Sequence, residues 1–252
     1  MEARQQAEKS AGNESTYKPK INIVIDIDRN ALTVTDNGIG LDKDKFEQFL
    51  APNFSFKTGN TRGHKGVGAT YVAYGFNYMR VSTKVPGFNA SGRIIGAKDW
   101  LKSGSTGTNP KVEPDSSDYT DMTFDKFDRG VSITVRFDEN THPKRLDWIR
   151  ADNASKWSKI LAVKTGLGSV TPDNLIEVSI TVHANNNHTN IVTQGTSYLW
   201  LNTNAAKKAS FKELRSKEDA LFNKQGAGYK MPDQYKKLDF IYESWATEIE
   251  SL

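Results

Sequence analysis

The sequence predicts an α+β chain. Two alternating β-branched runs, INIVIDI (21–27) and ALTVTD (31–36), flank the short polar turn Asp28-Arg29-Asn30 and read as an antiparallel hairpin. Beyond them, segments with helical spacing interleave with further alternating runs along most of the 252 residues. No apolar run approaches the ~20 residues that a bilayer-crossing helix needs.

The elements follow in order. Residues 1–20 are polar, with a helix-compatible start from Glu2 to Ser10 that runs into the loop composition AGNES. Asn37-Gly38 and Gly40 end the second strand. LDKDKFEQFL (41–50) sets Phe46, Phe49 and Leu50 at helical spacing behind an acidic first turn, which predicts a short helix. Residues 51–68 are loop-like and rich in glycine. ATYVAYGFN (69–77) is a small apolar helix leading into the strand YMRVSTK (78–84), and another strand is expected near Gly92–Ala97. The stretch Lys102–Tyr119 is turn-rich and nearly devoid of apolar residues, so it reads as a surface insertion or mobile loop. MTFDKF (122–127) and GVSITVRF (130–137) read as a further pair of strands.

From about His142 the character changes. Trp148, Ile149, Trp157, Ile160, Leu161 and Lys164 fall on a mostly helical pattern, with the two tryptophans nine apart on one face as core or interface residues. LIEVSITVHA (175–184) and TSYLWLN (196–202) read as strands, and the last forty residues are polar and helix-compatible. The expected boundary therefore divides residues 1–145 from a smaller α/β segment at 146–252.

Composition excludes several classes. The chain has no cysteine, so neither a disulfide framework nor a thiolate metal site is available. His142, His183 and His188 are scattered without metal-ligand spacing, so no metal site is expected from them. There is no GxSxG, and no companion motif makes a Ser-His-Asp reading. The start MEARQQAEKS lacks the apolar stretch of a secretory signal, which predicts a cytoplasmic protein with no membrane partner. A formal net charge of +4 is small for this length. The lysine-rich KKASFKELRSK within 200–237 offers nucleic-acid binding only faintly, because such runs are usually solvated helix faces.

Two motifs carry chemistry. Asp36-Asn37-Gly38-Ile39-Gly40 directly follows a strand, and Gly63-His64-Lys65-Gly66-Val67-Gly68 directly precedes a helix. A carboxylate at a strand end suits an exocyclic amine such as adenine N6, and adjacent glycines let a flat ring approach the backbone. Glycines before a helix leave backbone N–H groups facing a concavity that favours phosphate. Lys57, Arg62 and Lys65 add cationic groups. Each motif alone has a plain alternative: DNG is a common turn, and GHKGVG is an ordinary loop-to-helix junction. The second is also not a P-loop, since it lacks the four-residue gap and the closing Lys-Ser/Thr.

In this order and spacing, DNGIG, then FSFKTGNTRGHKGVG (54–68), then a small-residue helix resembles the GHKL ATPases. This is the class of gyrase B, heat-shock chaperones, histidine kinases and MutL, which share the Bergerat fold. The resemblance spans roughly residues 1–140. It implies a two-layer α/β sandwich with a mixed, largely antiparallel sheet, ATP held between helices and sheet, and a mobile lid over the phosphates. It implies that Asp36 binds adenine, that Gly38 and Gly40 belong to the first glycine box, and that Gly63, Lys65, Gly66, Val67 and Gly68 form the second. His64 lies inside that second box, facing phosphate or solvent. Ser55, Lys57 and Thr58 occupy the place of a Ser-Lys lid motif. Gly130-Val131-Ser132 stands where the family often has Gly-Thr.

One departure counts for more than these matches. The family carries a helix before the first hairpin, with a glutamate that activates water and an asparagine that holds Mg²⁺. Met1–Ala7 resembles the tail of that helix, which places the two residues upstream of Met1. Glu8 and Asn13 are the substitutes within the chain, and both read better as surface residues. On resemblance, Lys164 is the candidate for the γ-phosphate contact that a following transducer-like segment supplies. Its other reading is a solvated lysine at a helix C-terminus ended by Gly166.

The expectation is therefore an ATP-binding switch in a larger assembly, working with ATP and Mg²⁺ and self-associating or driving an effector domain. Hydrolysis by the chain itself is expected to be poor. The wording RGHKGVGATYVAYGFN (62–77) resembles bacterial ATP-binding proteins, some of them linked to phage defence. The alternative is a catalytically inactive nucleotide-binding or scaffold module.

Overall fold

The computed structural model describes Arg4 and residues 17–50, 68–115, 122–170 and 176–195. The chain divides into two units, Met1–Tyr198 and Leu199–Leu252. All described residues belong to the first.

The expected hairpin forms. β1 (Lys20–Asp26) pairs antiparallel with β2 (Ala31–Asp36), with Ile21 opposite Asp36 and Ile25 opposite Leu32. The turn between them is fixed by Asn30, at φ 55, a left-handed conformation that asparagine tolerates. Its amide donates to the carbonyls of Phe137 and Lys144, and its side-chain oxygen accepts from the Leu146 N–H, each at 2.8 Å. One side chain thus ties the hairpin turn to chain more than a hundred residues away.

Six more strands extend this hairpin into one sheet. They are β3 (Tyr78–Val85), β4 (Phe88–Ile95), β5 (Glu113–Pro114), β6 (Gly130–Arg136), β7 (Glu177–Ala184) and β8 (Asn187–Gln194). Their order is β5-β4-β3-β6-β2-β1-β7-β8. Neighbours run antiparallel except β1 and β7, which are parallel, so the sheet is mixed and largely antiparallel. Strands on both sides of residue 145 belong to this sheet, because β7 takes the free edge of β1.

Strand alternation gives the sheet two unlike faces. One carries Ile21, Ile23 and Ile25 in register with Val178, Ile180 and Val182, and continues through Leu32, Val135 and Met79. Ile25, Val178, Ile180 and Val182 are at most 1% exposed, and burying side chains of this kind contributes roughly 1.5–3 kcal/mol each. The other face carries hydroxyls in pairs, Thr33 with Thr134 and Thr35 with Ser132, each at 2.8 Å, and Ser91 donating to Ser82 at 2.8 Å. Paired in this way, the buried hydroxyls avoid the cost of an unsatisfied polar group.

The apolar face is covered in two patches. Under β1 and β7, the helix α5 (Ala154–Lys164) seats Ala154 and Trp157 on Ile23, Ile25, Val178 and Ile180. Asn153 starts this helix by accepting the Lys156 N–H, and the Trp157 indole donates to the Ala151 carbonyl at 2.8 Å. The second patch joins Met79, Val81, Ile94 and Val135 to Ala73 of α2 (Gly68–Gly75) and Ala97 of α3 (Ala97–Lys102). Phe46 of α1 (Lys43–Glu47), together with Phe49 and Leu50, packs on its margin. Helices on one face of a mixed sheet make the expected α/β sandwich.

Four local expectations are corrected. MTFDKF is not a strand: Met122–Asp125 form a helical turn, α4, whose Phe124 is buried. Trp148 and Trp157 do not share a helix. Leu146–Ile149 make a separate 3-10 turn that Arg150 ends at φ 55, leaving Trp148 exposed and Trp157 buried. The stretch expected as a surface insertion or mobile loop is exposed over most of 103–114, but at residues 113–115 it is anchored rather than loose, because β5 pairs with β4 and the 1%-exposed Asp115 carboxylate takes Arg80 at 2.6 Å. β8 was not foreseen. TSYLWLN, the final forty residues and the lysine-rich 200–237 stretch lie outside the described residues.

Candidate nucleotide site at the end of the second strand

The loop after β2 is held from three sides. Asn37, 8% exposed, accepts the Lys20 N–H at 2.8 Å and the Tyr17 hydroxyl at 3.3 Å, and donates to the Lys18 carbonyl at 2.8 Å. On a second side, the fully buried Thr83 hydroxyl of β3 receives the Leu41 N–H at 2.7 Å and donates to the Leu41 carbonyl at 3.0 Å. Gly40, at φ +74, lies so close to β3 that a Cβ would stand 2.2 Å from the Lys84 carbonyl oxygen. On the third side, Gly130 opens β6 at φ +144, where a Cβ would stand 1.9 Å from the Asp36 carbonyl oxygen. The Asn37 carbonyl also accepts from Arg4, whose guanidinium pairs with Asp128 through two contacts at 3.1–3.2 Å and lies 4.4 Å over the Tyr17 ring.

This clamp fixes the Asp36 carboxylate. Its Oδ1 accepts the Gly38 N–H at 2.7 Å, which sets the side-chain rotamer. The register places Asp36 beside Ile21 and Val131, on the helix-covered face. A carboxylate offers about four acceptor positions, so the bond to Gly38 is compatible with a second donor.

Beside Asp36 the two apolar patches part. Leu32 touches both, but Val34, next on the same face of this central strand, is 41% exposed, and Ile39 is 43% exposed. A carboxylate with two accessible aliphatic side chains at a strand end is the chemistry a purine with an exocyclic amine requires. It offers apolar surface for the ring and an acceptor for the amine.

The other proposed site residues divide between described and undescribed positions. Gly68 is the first residue of α2, so the second glycine motif does lead into a helix, and among the described residues a Cβ there would meet nothing within 4 Å. Ser55, Lys57, Thr58, Arg62, Gly63, His64, Lys65, Gly66 and Val67 lie outside the described residues, as do Glu8 and Asn13. Lys164 is exposed in the last turn of α5, where the Thr165 hydroxyl donates to the Leu161 carbonyl at 2.7 Å. Val131 faces the site between Asp36 and Thr83 where the resembling family often has threonine. No group of three or more acidic or histidine side chains among the described residues could hold a metal ion. No helix among them is long and apolar enough to cross a membrane.

Sequence reasoning missed Asn37, Thr83 and the Arg4–Asp128 pair as builders of this loop. Their partners sit between 17 and 124 residues away, and nothing in the local wording announces that. Gly130 was visible only as an imperfect motif match. Its contact with the Asp36 backbone gives it a reason.

No family model matches the chain. Over 137 residues, half of this chain, it is 30% identical to the chaperone protein HtpG of Bacillus velezensis. The matching stretch covers 20% of HtpG, so the likeness concerns a fifth of that protein's length.

Proposed function

We propose that this chain is a GHKL-type nucleotide-binding module. ATP is its ligand, the purine is read by Asp36, and the nucleotide acts as a switch within a larger assembly. The observation that carries this reading is the clamped Asp36 carboxylate beside accessible Val34 and Ile39, at the gap between the two helix-covered patches. The start of α2 at Gly68 supports it, because the exposed N–H groups of a helix start favour phosphate. The likeness to HtpG supports it at the level of the nucleotide-binding class.

In this reading Asp36 accepts the amine, Gly38 and Gly40 keep the backbone low beneath the ring, and the 63–68 motif meets phosphate. The lid residues Ser55, Lys57 and Thr58 close over it, and Lys164 reaches the γ-phosphate from the 146–252 segment. Mg²⁺ belongs to the reading by resemblance alone. The described residues supply no ligand set for it, so no step is assigned to it. Defence against phage is the cellular setting that the 62–77 wording favours, and the effector is a second copy or an attached domain.

The test is isothermal titration of the chain with ADP and a non-hydrolysable ATP analogue, with and without Mg²⁺, beside Asp36→Asn. Asparagine keeps an oxygen for the Gly38 N–H, so the variant should fold normally while its nucleotide affinity falls at least about tenfold, the loss expected from ~1.4 kcal/mol of charged hydrogen bonding. Equal binding by both proteins would sink the purine assignment. Hydrolysis measured on the same samples separates an ATPase from a binding-only module.

A further inference from the structure

β8 forms one edge of the sheet, and its chemistry is unusual for an edge. Its eight residues, Asn187–Gln194 (NHTNIVTQ), include no charge, no proline and no glycine. Edge strands are ordinarily protected from pairing with other chains by such features. The register is set by a two-residue turn at Asn185-Asn186, with φ values of 54° and 58°, whose N–H groups bond to Asp28. Ala184 opposite Asn187 closes that turn, and Gly195 donates to the Ile176 carbonyl at the other end. The odd-numbered residues therefore bond inward to β7. By alternation, the N–H and C=O groups of His188, Asn190, Val192 and Gln194 point away from the sheet. Among the described residues nothing pairs with them.

We propose that this edge pairs with the β8 edge of a second copy, antiparallel, about a two-fold axis through Ile191. Outward-facing residues must meet outward-facing residues, and the longest two-fold register sets His188 opposite Gln194 and Asn190 opposite Val192. Every outward N–H and C=O then has a partner. On the helix-covered face, Ile191 meets its own copy and Thr189 meets Thr193. Ile191 already packs against the patch formed by Ile180, Val182 and Trp157, so the pairing carries that apolar surface across the axis. With no charge on the strand, no like charges oppose one another. The occupant is a second copy because this one register satisfies the hydrogen bonds, the apolar contact and the symmetry together.

The absence of cysteine makes the test direct. In the full chain, Ile191→Cys places one thiol on the axis at a non-hydrogen-bonded pair, where Cα atoms stand about 4.5 Å apart, within disulfide reach. Val192→Cys places its thiol off the axis and facing Asn190 of the other copy. Mild oxidation should give a covalent dimer of the first and leave the second monomeric. Val192→Pro removes an outward N–H without touching a bond to β7. It should weaken self-association about tenfold in sedimentation while leaving circular dichroism unchanged. Equal cross-linking of both cysteine variants, or a wild-type chain that sediments as a monomer at every soluble concentration, would overturn the proposal. The sedimentation result stands even if a cysteine variant fails to fold, and neither readout depends on nucleotide.

Discussion

The loop after β2 and the start of α2 both carry glycine-rich wording, yet their glycines answer to different demands. At Gly40 and the facing Gly130, positive φ angles combine with backbone oxygens 2.2 Å and 1.9 Å from where a Cβ would sit. At Gly68 a Cβ would meet nothing within 4 Å among the described residues. Packing alone is enough to require the first two. Contacts with the described residues do not require the third, so Gly68 is the position where a ligand contact can be tested apart from packing. A glycine motif is thus evidence for a ligand only after its contacts have been read.

The comparison breaks most visibly at the clamp. Gly130→Ala and Gly40→Ala should each destabilise the chain by about 3 kcal/mol or more, through strain at positive φ and a collision with backbone that has no rotamer to escape into. Denaturant unfolding measures this, and a loss below ~1 kcal/mol at both would mean the loop is free to shift. Next comes Thr83→Val, which keeps the shape and strands the Leu41 N–H and C=O. Thermal or denaturant unfolding should show a loss of about 1–3 kcal/mol.

At the other pole, Gly68→Ala should leave stability unchanged or raise it by up to ~1 kcal/mol, since alanine favours a helix. Nucleotide affinity should fall at the same time. A stability loss there would erase the contrast between the two regions. The smallest effect concerns Asp128. Burial pushes its carboxyl up, but the hydrogen bonds and charge of Arg4, with backbone N–H groups, outweigh this and hold it below the usual carboxylate range. Its contribution is therefore present above the unfolded carboxylate range and lost as pH falls through the lowered folded value. Because Asp128 is 68% exposed, Asp128→Asn should flatten the acid side of the stability profile by about 0.5 kcal/mol or less.

What the sequence made legible follows the same division. β1, β2, β3, β6 and β7 were visible because each has one side on the apolar face, so alternation marks them. β8 lacks that mark: only Ile191 and Val192 are apolar, and they are neighbours on opposite faces. Met122–Asp125 misled because Met122 and Phe124, two apart, mimic strand alternation in a segment too short to show a helical period. The turn after Asp36 was legible from its motif. The clamp that orients it was not, because Thr83 and Gly130 reach it only through the register of β3 and β6.

The parallel pairing of β1 with β7 has a consequence for how the molecule is made. The partner of β1, β7, begins about 150 residues after β1 ends, so at ribosomal speed Ile23 and Ile25 wait roughly 8–30 s for Val178, Ile180 and Val182. During that interval the nascent hairpin has an open edge and a strip of bare isoleucine beside it. Among the described residues this stretch stands to gain from a holdase on the emerging chain, and the arrival of β7 is the event that retires the need.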